Sequence, residues 1–371
     1  MEKVMQMNDG GMIKKKASKT SEKILIRLGY NLIRGELKIF HGVQFRIVSQ
    51  LVLCILVVSH STMPRTPFTF RGLVVPVLTP FNNDSKRTLN LSLIPQYAEY
   101  LAKKKITGVL VNGTTGEGMS MSVTERKLIV EAWANAVKTT KQHLMVQVGG
   151  APLPDVLELA KHAESIKADS LLCLPELYFK PTTSDQLAEY LKLVGAAAPN
   201  TPLLYYHIPM FTNVNVNMGQ FLESLGKRIP NFVGIKFTSP NLEEGALALH
   251  ADNKKYVIFL GNDQLICAAT ALGMDSVIAT SINMFPELTL EILAEGKKGN
   301  SLKARELQDK LSRAVLAISK HGNWVETMKV AMSLLTNINV GPTRAPLKTL
   351  SREVTETMAK ELQTLGFQVT M

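Results

Sequence analysis

The sequence predicts an α/β chain, a (β/α)8 TIM barrel with additional C-terminal helices, and two observations carry that expectation. From residue 68 onward, short β-branched runs alternate with longer amphipathic stretches, the pattern of βα units around a parallel sheet. The strand-like runs number eight, within about 220 residues, as a closed barrel requires. A doubly wound sheet would have fewer strands and a Gly-rich dinucleotide turn after the first, and that turn is absent.

The strand runs cover residues 73–78, 108–112, 144–149, 170–174, 203–207, 232–237, 257–261 and 276–280. Between them, helical patterns at 91–105, 124–138, 155–167, 185–198, 218–228 and 242–252 place apolar residues at three- and four-residue spacing. Beyond the eighth unit, 302–321, 324–335 and 351–365 read as three extra helices packed on the outside or one end of the barrel. The expected organisation is an extension over 1–62, a catalytic barrel over 63–296 and a helical region over 297–371.

Composition removes several functional classes. With 46% hydrophobic and 20% charged residues in 371, the chain is ordinary globular material rather than a disordered one. The net charge of +11 would suit an acidic partner, but residues 1–62 hold ten Lys and Arg against four Asp and Glu. Only +5 is left across the other 309 residues, which form no basic stripe, so a nucleic-acid partner is not expected. The longest apolar run, 47–58, is too short to span a bilayer, and the 46 residues before it exceed the leading region of an export signal. Cys54, Cys173 and Cys267 are odd in number and widely spaced, which points to a reducing compartment, the cytoplasm.

In such barrels the chemistry sits at the C-terminal strand ends. Strand two runs into GTTGEG at 113–118, strand five ends in Tyr205, Tyr206 and His207, and strand six carries Lys236 with Thr238 two residues on. Strand seven leads to Gly261 and Asp263, strand eight to Thr280 and Ser281. Lys236 stands within an apolar strand, where desolvation disfavours an ammonium and favours the nucleophilic amine; the alternative is a lysine reaching solvent from a strand end. An amine of this kind attacks a carbonyl to give an imine, an electron sink for cleaving the neighbouring carbon–carbon bond. A phenol beside it would relay protons. Tyr205 and Tyr206 compete for that role, because successive side chains face opposite sides of a strand and both faces of this one are apolar. His207 reads as a packing or surface residue. GTTGEG offers two hydroxyls and loosely held amides near a helix start, suited to an anion or merely to capping. No metal-ligand spacing, nucleophile elbow or P-loop is present, and the loops after strands seven and eight lack the Gly-rich cradle often used for phosphate.

The motifs GTTGEG, YYHIP and GIKFTS, in that order and at those strand ends, resemble the pyruvate-dependent class I lyase and aldolase family, to which dihydrodipicolinate synthase-like enzymes belong. The likeness runs over about residues 68 to 366 and includes GPTRAPL and SREVTE near the C-terminus. It implies a metal-free, cofactor-free homotetramer acting on a small-molecule substrate; the short apolar run separately leads to no membrane partner being expected. The resemblance makes Lys236 the imine-forming lysine, Tyr206 the proton relay, Thr114 and Thr115 the carboxylate-binding pair, and Thr238 a polar substrate contact. Gly261 and Asp263 match positions that hold sugar hydroxyls, and Gln264 and Thr280 adjoin them. Tyr178 matches a tyrosine that some members lend to a neighbour's site. The implied reaction is cleavage of sialic acid to N-acetylmannosamine and pyruvate. Dihydrodipicolinate synthases carry an arginine two residues beyond the tyrosine motif's proline for a second carboxylate, whereas this chain has Phe211. The sialic-acid-cleaving members have an acidic residue after the strand-seven aspartate and Gly-Ser after strand eight, where Gln264 and Ala279-Thr280 stand here. Gln264 is expected to weaken the hold on a polyhydroxyl chain, and the Ala279 methyl to crowd that pocket. Alternatives are another 2-oxo acid aldolase or a barrel that binds a sugar acid without turning it over.

Overall fold

The computed structural model describes residues 68–370. The 1–62 extension, the apolar run 47–58 and Cys54 lie outside the described residues. Eight strands form a closed parallel barrel: β1 Leu73–Pro76, β2 Gly108–Val111, β3 His143–Gln147, β4 Ser170–Cys173, β5 Leu203–His207, β6 Phe232–Phe237, β7 Val257–Leu260 and β8 Ser276–Ile278. Each strand pairs with its successor, and β8 closes on β1 through Val277 and Ile278.

A helix follows every strand. These are α1 Ile94–Lys103, α2 Val123–Thr140, α3 Leu153–Ser165, α4 Ser184–Ala197, α5 Met218–Leu225, α6 Leu242–Lys254, α7 Ile266–Ala271 and α8 Pro286–Lys297. Three further helices, α9 Ser301–Ser319, α10 Trp324–Leu335 and α11 Arg352–Thr364, complete the chain as expected. Caps explain several starts: Ser122 and Glu125 form a reciprocal capping box on α2, and the Asn323 side chain accepts the Val325 N–H at the start of α10.

Both faces of the sheet are buried, so the strands are predominantly apolar. Val74, Leu110, Met145, Leu172, Leu204, Phe259 and Ile278 fill the barrel interior. Val75, Val109, Leu144, Leu171, Tyr205, Ile235 and Val277 belong to the separate layer packed beneath the helices. This division settles the two tyrosines: Tyr206 is interior, and Tyr205 faces the helices beside Phe221.

One irregularity matters for the site. Between β5 and β6 the pairing passes from Leu203↔Phe232 to Leu204↔Gly234, leaving Val233 as an extra residue, a β-bulge. The shift sets Tyr206 directly beside Lys236 on the neighbouring strand. Gly234 permits it, because a side-chain carbon there would sit 2.1 Å from the Val257 carbonyl oxygen.

Candidate active site

Lys236 rises from β6 into a cavity of ≈ 280 Å³ at the C-terminal end of the barrel. Thr114, Thr115, Tyr206, Thr238, Gly261, Asp263, Gln264 and Thr280 also line it, so every site residue expected from the sequence except Tyr178 converges there. Tyr178 lies in the segment after β4, 83% exposed, with its ring edge-on to Phe179.

Two short hydroxyl chains organise the cavity. In the first, Lys236 Nζ donates to Tyr206 Oη over 3.0 Å, and Tyr206 Oη meets Thr114 Oγ1 at 3.1 Å. The amine also lies over the phenol ring, 4.1 Å from its centroid. An amine, a phenol and a threonine hydroxyl in one line form a path for a proton away from a reacting carbonyl. In the second, Thr115 Oγ1 and Thr280 Oγ1 are 2.7 Å apart, and the Trp324 indole N–H donates to Thr280 Oγ1 over 3.1 Å. The turn bearing Thr114 and Thr115 is closed by Glu117 N–H to Thr114 O and Gly118 N–H to Gly113 O. The amides of Thr115 and Gly116 have no protein acceptor among the described residues, as an anion receptor requires.

The opposite wall is built on β7 and β8. Gly261 must lack a side chain, since a carbon there would lie 1.9 Å from Thr238 Oγ1. That hydroxyl is buried without a protein partner among the described residues. Asp263 is buried and its Oδ1 accepts the Ser281 N–H at 2.7 Å; burial nevertheless pushes its carboxyl above the ordinary carboxylate range. Gln264 is exposed at the rim, its N–H held by Asn262 Oδ1. Thr280 begins a 3-10 turn, Thr280–Asn283, rather than ending the strand, and Asn283 Nδ2 ties its carbonyl to that of Pro76.

One expectation is corrected. The Ala279 methyl does not crowd this pocket: Ile278 and Thr280 line the cavity, whereas Ala279 packs with Val277 in the layer beneath the helices. Alternation along the strand end turns it away. His207, expected to be a packing or surface residue, is buried and stacks on Phe237.

The C-terminal helices supply groups that motif reading did not single out. Val315 of α9 and Trp324 of α10 line the cavity. Gln308 of α9 donates to Asp263 O and accepts the Cys267 N–H, holding the segment after β7. Glu117, in the left-handed region at φ 51°, carries a carboxylate that accepts from the Arg344 N–H at 2.9 Å and pairs with Lys329 Nζ at 2.7 Å. Arg344 in turn holds Glu125 through two bonds and donates to the Arg87 carbonyl, keeping the Glu125 carboxyl below its usual range. The visible signal was GPTRAPL, which contains Arg344. Among the described residues no group of three or more His, Cys, Asp or Glu side chains is gathered as for a metal ion.

Fold and site together define a class, a (β/α)8 barrel enzyme of the pyruvate-dependent lyase and aldolase type. The profile of the Dihydrodipicolinate synthetase family matches residues 69–365, and the chain belongs to that family. It is similar to the N-acetylneuraminate lyase of Pongo abelii, 33% identical over 299 residues covering 80% of this chain and 93% of that one. Similarity to N-acetylneuraminate lyase A of Xenopus laevis reaches 35% over 278 residues, 75% of this chain and 90% of that one. Among solved structures, Proteus mirabilis N-acetylneuraminate lyase superposes with a TM-score of 0.76 at 33% identity, over 81% of this chain and all of that one.

Proposed function

We propose that the protein cleaves N-acetylneuraminate to N-acetylmannosamine and pyruvate through an imine on Lys236. The observation that carries this reading is the line Lys236–Tyr206–Thr114, with contacts of 3.0 and 3.1 Å, beside a turn with two amides that have no protein acceptor among the described residues. Lys236 Nζ attacks the C2 ketone of the open-chain sugar acid, and loss of water gives the iminium. Tyr206 takes the C4 hydroxyl proton as the C3–C4 bond breaks, its electron pair passing into the enamine, and N-acetylmannosamine leaves as the aldehyde. Protonation of the enamine and attack by water then release pyruvate and regenerate the amine. Thr115 and the amides of the turn hold the carboxylate throughout, while Thr238, Gly261, Asp263, Gln264 and Thr280 face the sugar tail.

Phe211 favours this reading over dihydrodipicolinate synthesis. It lines the cavity, 59% exposed, and offers no donor to a second carboxylate. Gln264, uncharged at the rim, favours a second reading, another 2-oxo acid aldolase of the same chemistry.

The homotetramer, with Tyr178 lent to a neighbouring site, and the cytoplasmic location belong to the same proposal, as does the division into an extension over 1–62, a catalytic part over 63–296 and a supporting part over 297–371. Exposed Tyr178 and Phe179, and the free thiols of Cys173 and Cys267, support the first two. No helix among the described residues is long and apolar enough to cross a membrane.

Incubation with N-acetylneuraminate should release pyruvate, and borohydride added with pyruvate should leave a reduced adduct on Lys236 alone. Absence of pyruvate release, with condensation of pyruvate onto a shorter aldehyde, would favour the second reading. An adduct on a different lysine would remove both.

A further inference from the structure

Thr115 is useful to a carboxylate only if its hydroxyl presents hydrogen rather than a lone pair. A hydroxyl has one hydrogen and two lone pairs, and the contact Thr115 Oγ1 to Thr280 Oγ1 at 2.7 Å is satisfied with either residue as donor. If Thr115 spends its hydrogen on Thr280, it shows the cavity only lone pairs, which repel an anion. Trp324 breaks this symmetry. Its indole nitrogen can only donate, and it donates to Thr280 Oγ1 over 3.1 Å. Thr280 is 5% exposed, and the one acceptor its hydroxyl reaches among the described residues is Thr115 Oγ1. Were Thr115 the donor, Thr280 would receive two hydrogens, its own would have no protein acceptor among the described residues, and a carboxylate at Thr115 would meet lone pairs, an arrangement that costs free energy. With a carboxylate bound at Thr115, the arrangement with every donor matched runs one way: Trp324 to Thr280, Thr280 to Thr115, and Thr115 to the carboxylate.

We propose that Trp324 is a positioning residue that fixes this direction and so keeps Thr115 a donor to the carboxylate of a 2-oxo acid. The proposal rests on the reading that Thr115 receives that carboxylate. The structure places the indole well for the role. Trp324 is the first residue of α10, where the Asn323 cap fixes the helix start, and its backbone carbonyl accepts from Thr327 Oγ1 at 3.0 Å. The ring is therefore set from the C-terminal region, independently of the turn that carries Thr115.

The test is the pyruvate concentration that gives half-maximal borohydride trapping on Lys236, with hydroxyacetone as a probe lacking the carboxylate. Trp324→Phe removes the N–H and keeps an aromatic ring. The half-trapping concentration of pyruvate should rise roughly three- to tenfold, with the saturating yield and the hydroxyacetone value unchanged. In a Thr115→Val background, Trp324→Phe should add nothing, since the hydroxyl it orients is gone. Thr280→Val breaks the same chain at its middle and should reproduce the pyruvate effect, which keeps the test open if Trp324→Phe folds poorly. Equal shifts for pyruvate and hydroxyacetone, an undiminished effect without Thr115, or no shift at all would overturn the proposal. Wild-type protein that traps no pyruvate would overturn the imine reading itself, a different and separable result.

Discussion

Lys236 at the barrel mouth and Lys329 in the C-terminal region look alike by burial, 4% and 2% exposed. Each also lies over an aromatic ring, 4.1 Å from the Tyr206 centroid and 4.3 Å from that of Phe81. Their partners differ. Lys329 meets the Glu117 carboxylate at 2.7 Å and donates to the Pro342 carbonyl at 2.8 Å. Lys236 hydrogen-bonds one phenol and otherwise faces an open cavity. Burial still pulls the Lys329 ammonium down to about 8, against the opposing pull of Glu117. Burial alone therefore does not distinguish the lysine proposed as nucleophile from Lys329. What answers the amine, a carboxylate or a phenol at the wall of a cavity, separates the two.

The comparison is broken most directly by replacing each lysine with methionine. Lys236→Met should lower turnover by about 10³ or more by removing the nucleophile, while denaturant unfolding stays near wild type. Lys329→Met leaves the Glu117 carboxylate buried without its cation and should cost about 3–5 kcal/mol of stability, much of it restored by adding Glu117→Gln. Equal destabilisation by the two single changes would erase the distinction.

A second pair tests the phenol that answers Lys236. Tyr206→Phe should reduce kcat roughly 100-fold with the fold retained, whereas Tyr205→Phe, on the helix-facing side, should change turnover far less. Steady-state kinetics on both variants decide this, and the reverse ranking would place the proton relay on the wrong tyrosine.

The same distinction can be sharpened at acid pH through a group buried without close pairing. His207 is stacked on Phe237, its Nε2 is 3.7 Å from Glu244 Oε1, and burial pulls it to about 4 from an ordinary 6.5. The unfolded chain takes up the proton first as pH falls, so stability is lost from about pH 6.5 down to about 4 and this contribution levels off below. The loss attributable to His207 is at most about 3 kcal/mol. His207→Phe should flatten part of that slope in melting curves, leaving a remainder from His143, which burial also pulls to about 4. An unaltered slope would mean that other groups carry it. The smallest effect belongs to the rim: Gln264→Glu should lower KM for N-acetylneuraminate a few-fold at nearly constant kcat, because a contact remote from the breaking bond acts on uniform binding. A change confined to kcat would contradict that placement.

The strands were legible in the sequence because a parallel barrel buries both faces, which leaves dense apolar runs between helical patterns. The same density hid the parity of Tyr205 and Tyr206, and β6 hid it further. Phe232, Ile235 and Phe237 all belong to the outer layer, a spacing of three and then two that the bulge at Val233 creates and simple alternation does not foresee. Lys236, Thr115 and Asp263 stood out because polar residues at the ends of apolar strands are conspicuous. Trp324, Gln308 and Lys329 did not, since each sits in an amphipathic helix whose pattern is explained by packing alone. Ala279 was misread for a related reason: a change from a bare position draws attention to itself, but its face of the strand decides what the methyl touches.

The pairing of Glu117 with the Arg344 amide spans 227 residues. During synthesis the GTTGEG turn is made well before the groups that brace Glu117, Lys329 and Arg344, which follow all eight strands in the sequence. All eight strands can be present and paired before either arrives. A growing chain of this design can therefore carry Lys236 and Tyr206 side by side with the GTTGEG turn still unbraced, and the turn is braced only once the segment holding Lys329 and Arg344 has followed.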